Sequence, residues 1–148
     1  MKRRRPPVYS HTRGVSDRET EMIRELMPLA ATLGIRVGDY AAERVTMSLD
    51  WSPSLCTADG ILHGGVLMAL ADSAGAACAL LNLPKDATGT TTIESKTNFM
   101  GAVRNGSVSA TSTPLHRGGT TIVVETSVVD GAGRRVAKVT QTQLVLRR

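Results

Sequence analysis

The chain has few aromatic residues: one Trp, two Tyr and one Phe make up 3% of its 148 residues. A platform of stacked aromatics for single-stranded nucleic acid is thereby excluded, and the core must be aliphatic. Cysteine is nearly as scarce, because Cys56 and Cys78 are too few for a disulfide framework. No apolar run follows the basic start to make a secretory signal, and no stretch reaches the length of a membrane span. These absences point to a soluble, cytoplasmic protein with both thiols free. The three histidines (His11, His63, His116) and two cysteines lack ligand spacing, so no metal and no cofactor are expected.

Acidic residues are missing from the first 13 positions, where Lys2, Arg3, Arg4, Arg5 and Arg13 supply five positive charges. The rest of the chain carries 13 basic and 13 acidic residues, so the net charge of +5 belongs to a tail and not to a basic groove. Residues 1–15 read as a disordered basic tail and residues 16–148 as one domain, since 41% hydrophobic content suits a single packed core.

Ser16 and Glu19 have the spacing of a capping box, which predicts a helix from Ser16. Met22, Ile23, Leu26 and Met27 continue it at helical spacing, and Pro28 breaks the run before Gly34. From Ile35 to Asp50 the alternation of Val45, Met47 and Leu49 predicts one or two strands turning around Asp39 and Tyr40. Residues 51–60 read as a loop. Residues 64–82 are apolar on nearly every face, the mark of a buried central helix. Four β-rich runs follow, at about 88–100, 106–116, 120–130 and 134–147, separated by glycine-bearing connections that predict an antiparallel meander. Thr90, Thr92, Glu94 and Lys96 are polar while Ile93 and Phe99 lie opposite, which places the four on one wet face. The fold class is α+β, an antiparallel sheet wrapped around one buried helix.

Chemistry concentrates where Leu62-His63-Gly64-Gly65 leads into that helix, with Asp72 two turns on. A helix start offers free backbone N–H groups and partial positive charge, and glycine lets another molecule approach closely. An acid inside an apolar helix is expensive unless it has partners or a task. Ala69, Met68, Gly65, Gly75, Ala76 and Ala79 surround it at helical spacing and are mostly small. Eight residues at about 1.5 Å rise separate Gly64 from Asp72 by roughly 12 Å, too far to serve one reacting carbon. Two such helices packed antiparallel about a two-fold axis near Met68 would bring Gly64 of one chain opposite Asp72 of the other, which predicts a symmetric dimer with two composite sites.

With these residues in view, the stretch from about 35 to 147 resembles the PaaI-like (phenylacetyl-CoA thioesterase-like) branch of the hotdog-fold acyl-CoA thioesterases. The resemblance rests on Gly60-Ile61-Leu62-His63-Gly64-Gly65, on Leu70-Ala71-Asp72-Ser73-Ala74 and on Thr97-Asn98-Phe99-Met100. It implies that two subunits share a continuous sheet and often pair into tetramers. By position it implies Gly64 as backbone oxyanion donor, His63 as a residue that orients the site, and Asp72 as nucleophile or general base across the dimer interface. Thr57 stands where many members carry Asn or Gln, a departure that bears on rate or substrate preference. Some relatives hold the attacking water with a hydroxyl on the strand beginning near Thr90; Thr90, Thr91 and Thr92 are candidates, with Thr90 preferred.

Coenzyme A brings phosphates, so a basic glycine-bearing loop is expected, and His116-Arg117-Gly118-Gly119 fits. Gly65, Met68, Phe99, Arg117 and Gly118 complete the expected substrate-binding set. The implied activity is hydrolysis of an acyl-CoA to free acid and CoA, with no cofactor beyond the CoA of the substrate. The alternative is a non-catalytic acyl-CoA-binding module acting as sensor or scaffold. Neither nucleic acid nor membrane is expected as partner.

Overall fold

The computed structural model describes residues 15–148, so the expected basic tail over 1–15 lies outside the described residues except for Val15. Helices α1 (Asp17–Leu26) and α2 (Pro28–Thr32) precede a hairpin of β1 (Arg36–Ala41) and β2 (Arg44–Asp50). Helix α3 (Gly64–Leu80) leads to β3 (Gly89–Phe99), β4 (Ser107–Arg117), β5 (Thr121–Asp130) and β6 (Arg135–Leu146). All six strands form one antiparallel sheet in the order β1-β2-β4-β5-β6-β3, with α3 packed against its inner face.

Ser16 takes the N-cap position of α1, but its hydroxyl turns to the Glu19 carboxylate and caps no backbone N–H. The helix gains its anchorage from β1 instead. Val37 N–H donates to Thr20 Oγ1 at 2.9 Å, and Ser16 N–H donates to the Val37 carbonyl at 2.9 Å. The N–H and C=O of Val37 on the free edge of β1 are thereby paired, which hinders another strand from adding there. Ile23 is fully buried, whereas Met22 and Leu26 face outward, so only part of the predicted apolar face is covered.

Val45, Met47 and Leu49 face the core from β2 as their alternation predicts. The β1–β2 turn falls at Ala42 and Glu43, beyond the expected Asp39-Tyr40, after a bulge between Val37 and Tyr40 lengthens the strand. The later strands lie within two residues of their predicted bounds. Their order does not follow a simple meander: β4, β5 and β6 are joined by hairpins, but β3 pairs with β6 at the far edge. Residues 100–106 therefore cross back over two strands instead of making a hairpin. Three strand spacings of about 4.8 Å come to roughly 14 Å, well inside the reach of seven residues. Val103 anchors this crossing, buried and accepting from Leu62 N–H at 2.8 Å.

Strand β3 departs from regular alternation. The register passes from Thr92 opposite Gln143 to Glu94 opposite Thr142, leaving Ile93 as a bulge. The expectation that Thr90, Thr92, Glu94 and Lys96 share one face fails for this reason. Thr90 and Thr92 lie on the inner face beside Val145 and Gln143, while Glu94 and Lys96 lie outside.

Candidate active site

The helix start is built by residues 51–63. Leu55 and Cys56 run antiparallel to Leu62 and His63: Cys56 bridges Leu62, His63 N–H donates to the Leu55 carbonyl at 2.9 Å, and Thr57 N–H donates to the Ile61 carbonyl at 2.8 Å. Asp59 and Gly60 reverse the chain with positive φ values of 57° and 66°, the conformation that an Asp-Gly pair adopts in tight hairpins. Trp51 Nε1–H and Arg104 hold this turn through the carbonyls of Gly60 and Asp59, at 3.0 and 2.6 Å. Thr57, exposed, is thus fixed at the same end of the molecule as His63.

His63 caps α3. Its Nδ1 accepts from Gly65 N–H at 2.8 Å, and its carbonyl accepts from Val66 and Leu67. Gly65 is needed for this closeness, since a Cβ there would stand 3.0 Å from Nδ1. The Gly65 amide is therefore committed within the chain. Gly64 N–H has no acceptor among the described residues, which leaves it as the donor directed outward. The ring of Phe99 lies over Gly64, and Met68 stands one turn along, exposed like Phe99.

Asp72 lies two turns into α3, on a strip with Gly65 and Met68 that the sheet does not cover. The predicted all-round burial of this helix is incomplete in the single chain along that strip. The Asp72 Oδ1 atom accepts two hydrogen bonds, from Thr92 Oγ1 at 3.1 Å and from Gln141 Nε2 at 3.1 Å. Gln143 Nε2 donates to Thr92 Oγ1 at 2.7 Å, so the Thr92 hydroxyl gives its own proton to the carboxylate. Thr90 is turned to Gln143 Oε1 and the Leu144 carbonyl, at 3.1 and 3.0 Å, and the hydroxyl on Asp72 comes from Thr92. Gln141 and Gln143 are wholly buried on the inner face of β6. Sequence reasoning missed both, although two amides in the alternating run Val139, Gln141, Gln143, Val145 signal a polar task inside the sheet.

Arg117 and Gly118 lie elsewhere. Arg117, Ile122, Gln143 and Thr92 occupy one row across β4, β5, β6 and β3, so Arg117 stands three strands from the Thr92 hydroxyl, about 14 Å in the sheet. Gly118 closes the β4–β5 turn, donating to the Thr121 carbonyl at 2.9 Å. Cys78, six residues beyond Asp72 on the covered side of α3, has its thiol pushed up to about 11, chiefly by burial and against the opposing charge of Arg117.

The free Gly64 amide and the tethered Asp72 carboxylate both lie in the stretch that a known family matches. The family model described as the thioesterase superfamily matches residues 59–137, which include both. ComA2 of Bacillus subtilis, which carries an esterase name, is 31% identical over 108 residues, 73% of this chain and 86% of its own. A protein of Saccharolobus solfataricus, also with an esterase name, is 30% identical over 115 residues, 78% and 81% of the two chains. Among solved structures, a mutant thioesterase of Pseudomonas aeruginosa superposes with a TM-score of 0.79 at 25% identity, over 86% of this chain and 93% of that one. AziG of S. sahachiroi does so with a TM-score of 0.78 at 30% identity, over 83% and 99%. The helix wrapped by an antiparallel sheet is the hotdog fold of the thioesterases, and the chain belongs to the thioesterase superfamily.

Proposed function

We propose that the protein hydrolyses acyl-CoA thioesters at composite sites formed by two copies of the chain. The observation that carries this reading is the tethering of Asp72 by Thr92 and Gln141 through one oxygen only. Among the described residues no donor reaches Oδ2, which leaves one oxygen of an exposed carboxylate available for chemistry. The Gly64 N–H supplies the complementary part, a preorganised donor for the thioester oxygen as it gains charge.

Both groups sit on one unbroken helix, so the separation of roughly 12 Å persists within a chain. A second copy supplies the missing half. The edge of β1 is occupied by α1, whereas β3, at the other edge, exposes Ile93, Phe99 and Met100 beside the uncovered strip of α3. Joining two β3 edges would extend the sheet and bring two α3 strips together near Met68. Pairing of dimers into tetramers, the PaaI-like subclass and a cytoplasmic location belong to the same reading.

Two routes share these parts. With Asp72 as general base, its Oδ2 takes a proton from water, the hydroxide adds to the thioester carbon, and the oxyanion forms against Gly64 N–H. Collapse breaks the C–S bond, and the CoA thiolate leaves and takes up a proton. With Asp72 as nucleophile, Oδ2 itself adds, CoA leaves, and water hydrolyses the resulting anhydride. In this reading His63 holds the helix start in place, Thr92 and Thr90 lie on the carboxylate side, Thr57 on the Gly64 side, and Arg117 and Gly118 meet the CoA phosphates.

The test is free-thiol release from benzoyl-, phenylacetyl-, hexanoyl- and palmitoyl-CoA by wild type and Asp72→Asn. Turnover in the wild type that vanishes in a folded Asp72→Asn supports the assignment. Tight binding without release would identify a non-catalytic acyl-CoA module instead. A single turnover in ¹⁸O-water tests the nucleophilic route, because label enters the Asp72 carboxylate only when water attacks the aspartyl carbonyl of an anhydride.

A further inference from the structure

We infer that Gln141 is a positioning residue for Asp72 and that Gly75 is the residue that allows it to be one. The inference rests on the reading of Asp72 as the reacting carboxylate.

Gln141 reaches the same Asp72 oxygen from β6, the strand beside that of Thr92, across the gap between the sheet and α3. A carboxylate accepts and does not donate, so the amide must present its nitrogen to Asp72 and its oxygen away. That oxygen is buried and has no partner among the described residues. An orphaned buried acceptor is uncommon and calls for a cause. Here the amide direction is dictated by Asp72 at the expense of Oε1.

Gly75 stands three residues beyond Asp72, hence on the adjoining face of α3. A Cβ on Gly75 would lie 2.1 Å from Gln141 Oε1, 2.5 Å from Cδ and 3.0 Å from Nε2. The amide group therefore fills the space that any side chain at position 75 would need. Even an alanine there must expel the amide, and the amide can leave only by giving up Asp72. Gly75 touches neither the carboxylate nor any group placed in the reaction, yet the geometry couples it to the Oδ1 tether. With one tether lost, the carboxylate is free to rotate and Oδ2 is no longer held toward its target.

The experiment compares kcat and KM for Gln141→Ala, Gly75→Ala, the double variant and Asp72→Asn, using the acyl-CoA of the panel that wild type turns over fastest. Gln141→Ala and Gly75→Ala should each lower kcat about 10- to 100-fold with KM little changed. The double variant should be no slower than Gln141→Ala, because a Cβ at position 75 displaces nothing once the amide is gone. Gln141→Met, which keeps the volume and removes the donor along with the unpartnered oxygen, should show the same loss of kcat and guards against a folding defect in the alanine variant. Wild-type kcat in Gln141→Met, or a double variant whose loss is the product of the two single losses, would overturn the inference while Asp72→Asn stays inactive. Full activity of Asp72→Asn, or no turnover by wild type, would instead remove the catalytic reading and this inference with it.

Discussion

The ring of Phe99 lies against the backbone of Gly64, so near that a Cβ built on Gly64 would stand 3.1 Å from Phe99 Cζ. The last residue of β3 thus roofs the first residue of α3, beside the amide assigned to the thioester oxygen.

Phe99 is 53% exposed in the single chain and adds little to the core. Phe99→Ala should therefore change stability by no more than about 0.5 kcal/mol. It should raise KM for the acyl group it covers, with a smaller effect on kcat. Steady-state kinetics alongside thermal melting separate these effects.

His63 contributes through its cap on Gly65. Its replacement by alanine removes one capping bond, worth about 1 kcal/mol, and should lower Tm by about 2–4 °C. Thiol release should fall with it, because the Gly64 amide is directed by the same turn. Calorimetry and the thiol assay measure the two losses on one preparation.

Met68, 40% exposed, sits midway between Gly64 and Asp72 on the uncovered strip. Met68→Asp would place like charges face to face across a two-fold axis there. Light scattering should report a shift from dimer toward monomer, and thiol release should fall in proportion to the dimer lost. An unaltered dimer with unaltered turnover would move the contact between subunits away from this helix.

The Cys78 thiol is raised from an ordinary 9.0 to about 11, first by burial. The folded protein keeps this proton where the unfolded chain releases it, so the contribution to stability is complete below about pH 9 and is lost as pH rises toward 11. Cys78, buried, should resist iodoacetamide at pH 8 until the protein is unfolded, whereas the half-buried Cys56 should react in the native state. Intact mass after labelling, native against denatured, counts the adducts.

Strand positions from β3 onward were legible because glycine-bearing turns punctuate them, and α3 because its apolar run is too long for a strand. The place of β3 was not legible: Gly101 to Asn105 has the composition of a hairpin, and only the register shows that it crosses over two strands. The Asp59-Gly60 pair was a readable turn signal inside what looked like plain loop. Asp72, His63 and Gly64 stood out through their incongruity in apolar or tight surroundings. Thr92 did not stand out from Thr90 and Thr91, because choosing among three adjacent hydroxyls requires knowing where the strand breaks step. The alternating run around Gln141 and Gln143 signals a polar task, but their partners lie 69 and 51 residues away in sequence, and those no local pattern reveals.

The bulge at Ile93 settles a matter of odd and even. Thr92 must reach Asp72 and Phe99 must reach Gly64, yet seven positions separate them, and on a regular strand residues an odd number apart point to opposite sides. The bulge takes Ile93 out of the pleat, so the interval counts as six and a single strand attends to both ends of the helix. A strand that kept Ile93 but pleated regularly through it would turn one of the two away: either the carboxylate would lose its hydroxyl, or the amide would lose its roof.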